Sequence, residues 1–79
     1  MRVRLLYFAS LRDAARTEHE DVDATSATLG DLYDDAQCRH GFALPRERVR
    51  VAHNGSFADW SSIPAAGDEV AFMPPVSGG

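Results

Sequence analysis

The opening Arg2-Val3-Arg4-Leu5-Leu6-Tyr7-Phe8 interleaves two arginines with branched and aromatic residues, which predicts a first strand with a mostly buried second half. Ser10, with Asp13 three positions on, resembles a capping box and predicts a short helix from Leu11 to about Arg16. Thr17 to Asp23 alternates loosely and carries Glu18, Glu20, Asp21 and Asp23, a pattern suited to an edge strand whose charges discourage pairing with other chains. From Thr28 the period lengthens. Leu29, Leu32, Tyr33, Ala36 and His40 recur at i, i+3, i+4, i+7 and i+11, which predicts an amphipathic helix capped by Thr28 and ended by Gly41. Asp31, Asp34 and Asp35 toward its start and Arg39 and His40 in its last turn suit the helix dipole.

Beyond a loop holding Pro45 the period returns to two. Arg48 to His53 predicts a strand with Val49, Val51 and His53 on one face, and Asn54-Gly55 predicts a type I′ hairpin turn, which needs positive φ at both central residues. A short return strand over Phe57 to Trp60 follows, then a loop with Ile63, Pro64 and the Gly67-Asp68 turn, then a last strand from Glu69 to Met73. One main helix and a short one across a mixed sheet of about five strands is an α+β architecture. The order fits a ubiquitin-like β-grasp roll over residues 1–73, with an extended tail over 74–79.

Composition narrows the function classes. At 79 residues, 44% hydrophobic and 25% charged, the chain reads as one soluble globular domain too small for a deep substrate cavity. The net charge of −4 argues against nucleic-acid binding, and the absence of a long apolar run or signal-peptide pattern makes a cytoplasmic location the expectation, with no membrane contact. A lone cysteine, Cys38, agrees with a reducing compartment. All eight cations are arginines, so no side-chain amine is offered for Schiff-base chemistry or isopeptide acceptance.

The tail changes the picture most. Gly78-Gly79 follows Met73-Pro74-Pro75-Val76-Ser77; the prolines hold φ near −65° and remove two donors, so the arm projects, and the glycines pass where no side chain fits. From Pro74 to Gly79 it reaches roughly 20 Å at about 3.3 Å per residue. The competing reading is a frayed terminus, which needs neither stiff prolines nor paired glycines.

The segment Gly67-Asp68-Glu69-Val70-Ala71-Phe72-Met73-Pro74-Pro75-Val76-Ser77-Gly78-Gly79 resembles the C-terminal signature of the small-subunit family of molybdopterin synthase, and Leu6-Tyr7-Phe8-Ala9-Ser10-Leu11-Arg12-Asp13 is similar to that family's N-terminal segment. The resemblance spans essentially the whole chain. It departs at His53-Asn54, where the family usually has Val-Asn, and at Ile63-Pro64-Ala65-Ala66, where a leucine is common.

The resemblance implies a sulfur carrier for molybdenum cofactor synthesis. Gly79 would be the catalytic group, adenylated with ATP by an enzyme related to ubiquitin-activating enzymes and then converted to a thiocarboxylate by a sulfur donor protein. Pro74, Pro75, Val76, Ser77 and Gly78 would thread into the large subunit, whose side chains would supply acids and bases for sulfur transfer to cyclic pyranopterin monophosphate. Family precedent implies a heterotetramer of two small and two large subunits and no permanently bound cofactor. Phe8, Arg12, Phe72 and Met73, beside the base of the tail, are the expected docking residues.

Other residues carry weaker signals. His19 and His40 lack partners at metal-ligand spacing, so no metal site is expected. His53, on the inward phase of its strand, reads as a half-buried histidine satisfied by backbone, and Cys38, two positions off the helix stripe, as a partly exposed residue without an activating neighbour. Arg46, Arg48 and Arg50, at spacing two, are expected on one strand face, either solvated or docking a partner. The alternatives are a carrier for thiamine, thionucleoside or cysteine synthesis, a ubiquitin-like modifier joined through Gly79, and a non-covalent β-grasp adaptor.

Overall fold

The structure, a computed structural model, describes residues 1–75. Val76, Ser77, Gly78 and Gly79, on which the expected chemistry centres, lie outside the described residues.

The elements run β1 (Arg2–Tyr7), α1 (Ala9–Ala15), β2 (His19–Asp23), α2 (Leu29–His40), a 3-10 turn (Arg46–Arg48), β3 (Arg50–His53), β4 (Ser56–Phe57) and β5 (Glu69–Met73). They form a five-stranded mixed sheet in the order β2-β1-β5-β3-β4. β5 lies parallel to β1 and antiparallel to β3, so the end of the chain leaves from the middle of the sheet. This is the expected α+β, ubiquitin-like arrangement.

Strand alternation puts Val3, Leu5, Tyr7, Val51, Val70 and Phe72 on the inner face, where α2 covers them with Leu29, Leu32, Tyr33 and Ala36. Tyr33 meets the Phe72 ring edge-on at 5.2 Å between centroids, Trp60 stacks on Phe72 at 6.0 Å, and Tyr33 and Trp60 touch each other at 5.5 Å. Phe72 is 0% exposed. Burying such a ring contributes roughly 1.5–3 kcal/mol.

α2 begins as expected: Asp31 N–H donates to Thr28 Oγ1 at 3.1 Å, and Thr28 N–H donates to Asp31 Oδ2 at 3.0 Å. It ends at Gly41, φ 73°. Asn54 and Gly55, φ 51° and 87°, turn β3 into β4 as the Asn-Gly pair predicts.

Three local expectations are corrected. α1 starts two residues early, because Phe8 serves as its N-cap and the Phe8 carbonyl accepts from Leu11 N–H at 3.1 Å and Arg12 N–H at 3.4 Å. Ser10 therefore lies within the helix and the Ser10/Asp13 capping box does not form. β3 starts at Arg50 rather than Arg48: the Pro45 carbonyl accepts from Arg48 N–H at 2.9 Å and winds Arg46–Arg48 into a 3-10 turn, so Arg46, Arg48 and Arg50 do not share a strand face. β4 ends at Phe57 rather than Trp60. The chain turns inward there because the Trp60 and Ser62 carbonyls accept from Gly30 and Leu29 N–H, both at 2.9 Å, satisfying two otherwise unpaired donors of the first turn of α2.

Candidate docking face and tail base

The pairing register defines the sheet face that α2 leaves open. Leu6 pairs with Ala71, Ala71 with Ala52, Ala52 with Phe57, and Met73 with Arg50. Since directly paired residues point to one side, these side chains form a continuous outer surface, flat in the middle because two of its members are alanines. Its rims stand proud: Phe57 is 67% exposed and Phe8 44%.

This surface surrounds the point where the chain leaves β5. Because Tyr7 pairs with Phe72, Phe8 and α1 sit beside Met73 on one side of that point. A depression of about 270 Å³ there involves Leu6, Phe8, Arg12 and His19. On the other side a groove of about 700 Å³ runs between Arg48, Arg50, Phe57, Met73, Pro74 and Pro75. Pro74 is half-buried and Pro75 exposed, so the described part of the tail already rises from the sheet.

Of the docking residues expected from sequence, Phe8, Arg12 and Met73 have exposed or half-buried side chains around the tail base. Phe72 is a correction: alternation turns its side chain inward, and it is part of the core. Phe57 and Arg50 on the opposite rim were missed as a pair. The register of the Asn54-Gly55 hairpin was the signal that could have found them, since it sets Phe57 opposite Ala52 on the outer face.

Two clusters of titratable side chains turn toward the α2 side of the sheet instead, since Glu20 pairs with Leu5 and His53 with Val70 in the register. Glu20, at the β2 edge, accepts a hydrogen bond from the Tyr7 hydroxyl, an ion pair from Arg39 at 2.9 Å and a contact from His40 Nε2 at 2.8 Å. Burial alone would raise its carboxyl, but the hydrogen bonds from Tyr7, His40 and Arg39 prevail and hold it at about 2. The same cluster pushes the Tyr7 phenol up, through burial first and Glu20 second.

His53 is half-buried as expected, yet its partner is a carboxylate rather than backbone: Nε2 lies 2.6 Å from Asp68 Oδ2. Asp68 also accepts from Ala65 N–H at 2.8 Å, and these bonds, the backbone one foremost, lower its carboxyl to about 2. Cys38 is exposed. Among the described residues no group of three or more His, Cys, Asp or Glu side chains is placed to hold a metal ion, and no helix is long and apolar enough to cross a membrane. What the arrangement offers chemically is a projecting main chain within an apolar surface rimmed by arginines.

Residues 5–79 match the ThiS family. The chain is similar to the molybdopterin synthase sulfur carrier subunit of Drosophila erecta, with 40% identity over 81 residues that cover 98% of this chain and 90% of the relative. It is 37% identical over 86 residues to the protein of the same name from Mycobacterium tuberculosis, covering 100% of this chain and 99% of the relative. Among solved structures it is similar to SAMP1, a small archaeal modifier protein from Haloferax volcanii, with a TM-score of 0.84, 32% identity and 100% of both chains covered.

Proposed function

The chain belongs to the ThiS family, and from that premise we propose that it is the sulfur carrier of a molybdopterin synthase, with Gly79 as the group that is loaded. The observation that carries this reading is likeness over essentially the whole chain to proteins named for that role. The geometry supports it: the tail leaves from the centre of the sheet through a surface with exposed aromatics, suited to docking a larger protein that takes the tail.

A carboxylate is a poor electrophile. An activating enzyme using ATP joins the Gly79 carboxylate oxygen to the α-phosphorus, with pyrophosphate as leaving group. The outer sulfur of a donor protein's cysteine persulfide then attacks the carbonyl carbon and AMP leaves with its oxygen; a second donor thiol cleaves the S–S bond of the acyl persulfide, forming a disulfide with the first cysteine and releasing the thiocarboxylate. This chain's residues act by binding and presentation. Pro74 and Pro75 keep the arm extended, Val76, Ser77 and Gly78 thread it, and Phe8, Arg12 and Met73 dock the folded part on the large subunit, which supplies the acids and bases. Two loaded chains furnish the two sulfurs of one dithiolene on cyclic pyranopterin monophosphate. No cofactor is held permanently, and the assembly is a heterotetramer.

The test is a Gly79 deletion in the reconstituted synthase. Sulfur transfer should vanish while the circular dichroism spectrum is unchanged; transfer at the full rate by the truncated chain would refute the mechanism. One observation favours a second reading, attachment to other proteins: the likeness to SAMP1. Covalent conjugates of a tagged chain in its native host would support it.

A further inference from the structure

We propose that Arg50, stacked on Phe57 and flanked by Arg48, is a pre-oriented receptor for a carboxylate on the protein that takes the tail, so that this partner presents Asp or Glu beside an apolar side chain at this rim. The inference deepens the reading above and rests on it.

The Arg50 guanidinium carbon lies 5.0 Å from the centroid of the Phe57 ring. A guanidinium held over a ring by cation–π attraction keeps the N–H donors that bind a carboxylate in a two-pronged fashion, and Arg50 is exposed, so these donors are open to a partner. Phe57 thus fixes the orientation of a side chain that otherwise loses much rotamer freedom on binding.

Arg50 is one of five arginines, with Arg2, Arg12, Arg16 and Arg48, that have no carboxylate partner among the described residues, and it alone of them lies over an aromatic ring. Arg4 is paired with Asp21 at 3.0 Å, Arg39 with Glu20 and Asp35 at 2.9 and 2.8 Å, and Arg46 with Asp34 at 3.7 Å. Among the described residues no carboxylate lies within ion-pair distance of Arg48 or Arg50. Both line the groove at the tail base, whose apolar part is Met73, Pro74 and Phe57 and whose single acid is Glu47.

The occupant has to satisfy both halves of that groove. A polyanion such as nucleic acid would meet a chain of net charge −4 with Glu18, Glu20, Asp21 and Asp23 along one sheet edge. A small free anion would leave the apolar part uncovered. A protein segment carrying a carboxylate next to an apolar side chain fits the arginines and the apolar floor together, in continuity with the tail that the same protein receives.

The test is calorimetric titration of the full chain against the molybdopterin synthase large subunit of the same organism, at low and high salt, with wild type, Arg50→Lys, Arg50→Glu and Arg48→Glu. Arg50→Glu should weaken binding by about tenfold or more and flatten its salt dependence, and Arg50→Lys, which keeps the charge and loses the fork, by roughly threefold. Both side chains are exposed, so melting temperatures should stay at the wild-type value, and Arg48→Glu supplies an independent reading if Arg50→Glu melts early. Wild-type affinity in both glutamate variants overturns the assignment and leaves the sulfur-carrier reading intact. No association of the wild-type chain overturns both. Self-association of the wild type that Arg50→Glu abolishes assigns the patch to a second copy and also overturns the proposal.

Discussion

Phe72 lies one residue before Met73 and the tail, and its burial separates two explanations of what that segment does. If its ring is core, replacing it should cost stability and spare docking. Phe72→Ala removes a fully buried ring that packs on Tyr33, Trp60 and Tyr7 at centroid distances of 5.2, 6.0 and 6.2 Å. Such truncations cost about 3–5 kcal/mol. A chain of this length, at ~0.05–0.15 kcal/mol per residue, holds about 4–12 kcal/mol in total, so the alanine variant should lose between about a quarter and all of its stability.

Phe72→Leu keeps an apolar side chain and loses the aromatic contacts, at about 1–2 kcal/mol. The assay is urea unfolding followed by the fluorescence of Trp60, the single tryptophan and a direct neighbour of Phe72. With a slope of about 1–2 kcal/mol per molar for a small domain, the Phe72→Leu midpoint should fall by about 1 M. Its affinity for the large subunit, measured well below that midpoint, should equal wild type. A variant with full stability and lost affinity would refute the placement of Phe72 in the core.

Two further predictions concern the frame that holds the docking face. Glu20 and Asp68 have carboxyls lowered to about 2 from ordinary values of 4.5 and 3.8. The unfolded chain therefore binds more protons in between, so the stability these groups contribute is complete above about pH 5 and is lost as pH falls toward 2; Glu20→Gln should make that acid loss shallower in a urea-midpoint series. Thr28→Ala leaves Asp31 N–H without its 3.1 Å acceptor and should cost about 1 kcal/mol, read as a melting temperature about 4–8 °C lower.

What could be read from sequence follows from how local the determining interactions are. α2 was legible because its stripe, its Thr28/Asp31 cap and its Gly41 stop are all contained within it. The Asn54-Gly55 turn was legible because positive φ at both residues narrows the choice of side chains there. The misplaced ends depend on distant partners. β4 stops at Phe57 because the carbonyls of Trp60 and Ser62 reach the first turn of α2, thirty residues back, a bond no local pattern announces. The bounds of β3 hid a proline-led turn behind an alternation of arginines and valines that reads equally as strand.

The site divides in the same way. The position of Met73 and Phe8 at the tail base follows from the family signature, whereas Gly79 lies outside the described residues. Phe72 was misassigned because adjacency to the tail says nothing of which side of the strand a residue faces. Arg50 and Phe57 come together only through the pairing of β3 with β4.

The proposed sulfur-carrier role rests on Gly79 as the group that is loaded. Its most direct measurement is the intact mass of the chain after co-expression with an adenylating enzyme and a sulfur source. The mass should rise by the difference of one oxygen replaced by sulfur, localised by fragmentation to Gly79 and absent when Gly79 is deleted. An unchanged mass with both activities demonstrably working, or sulfur found on Cys38 instead, would contradict it.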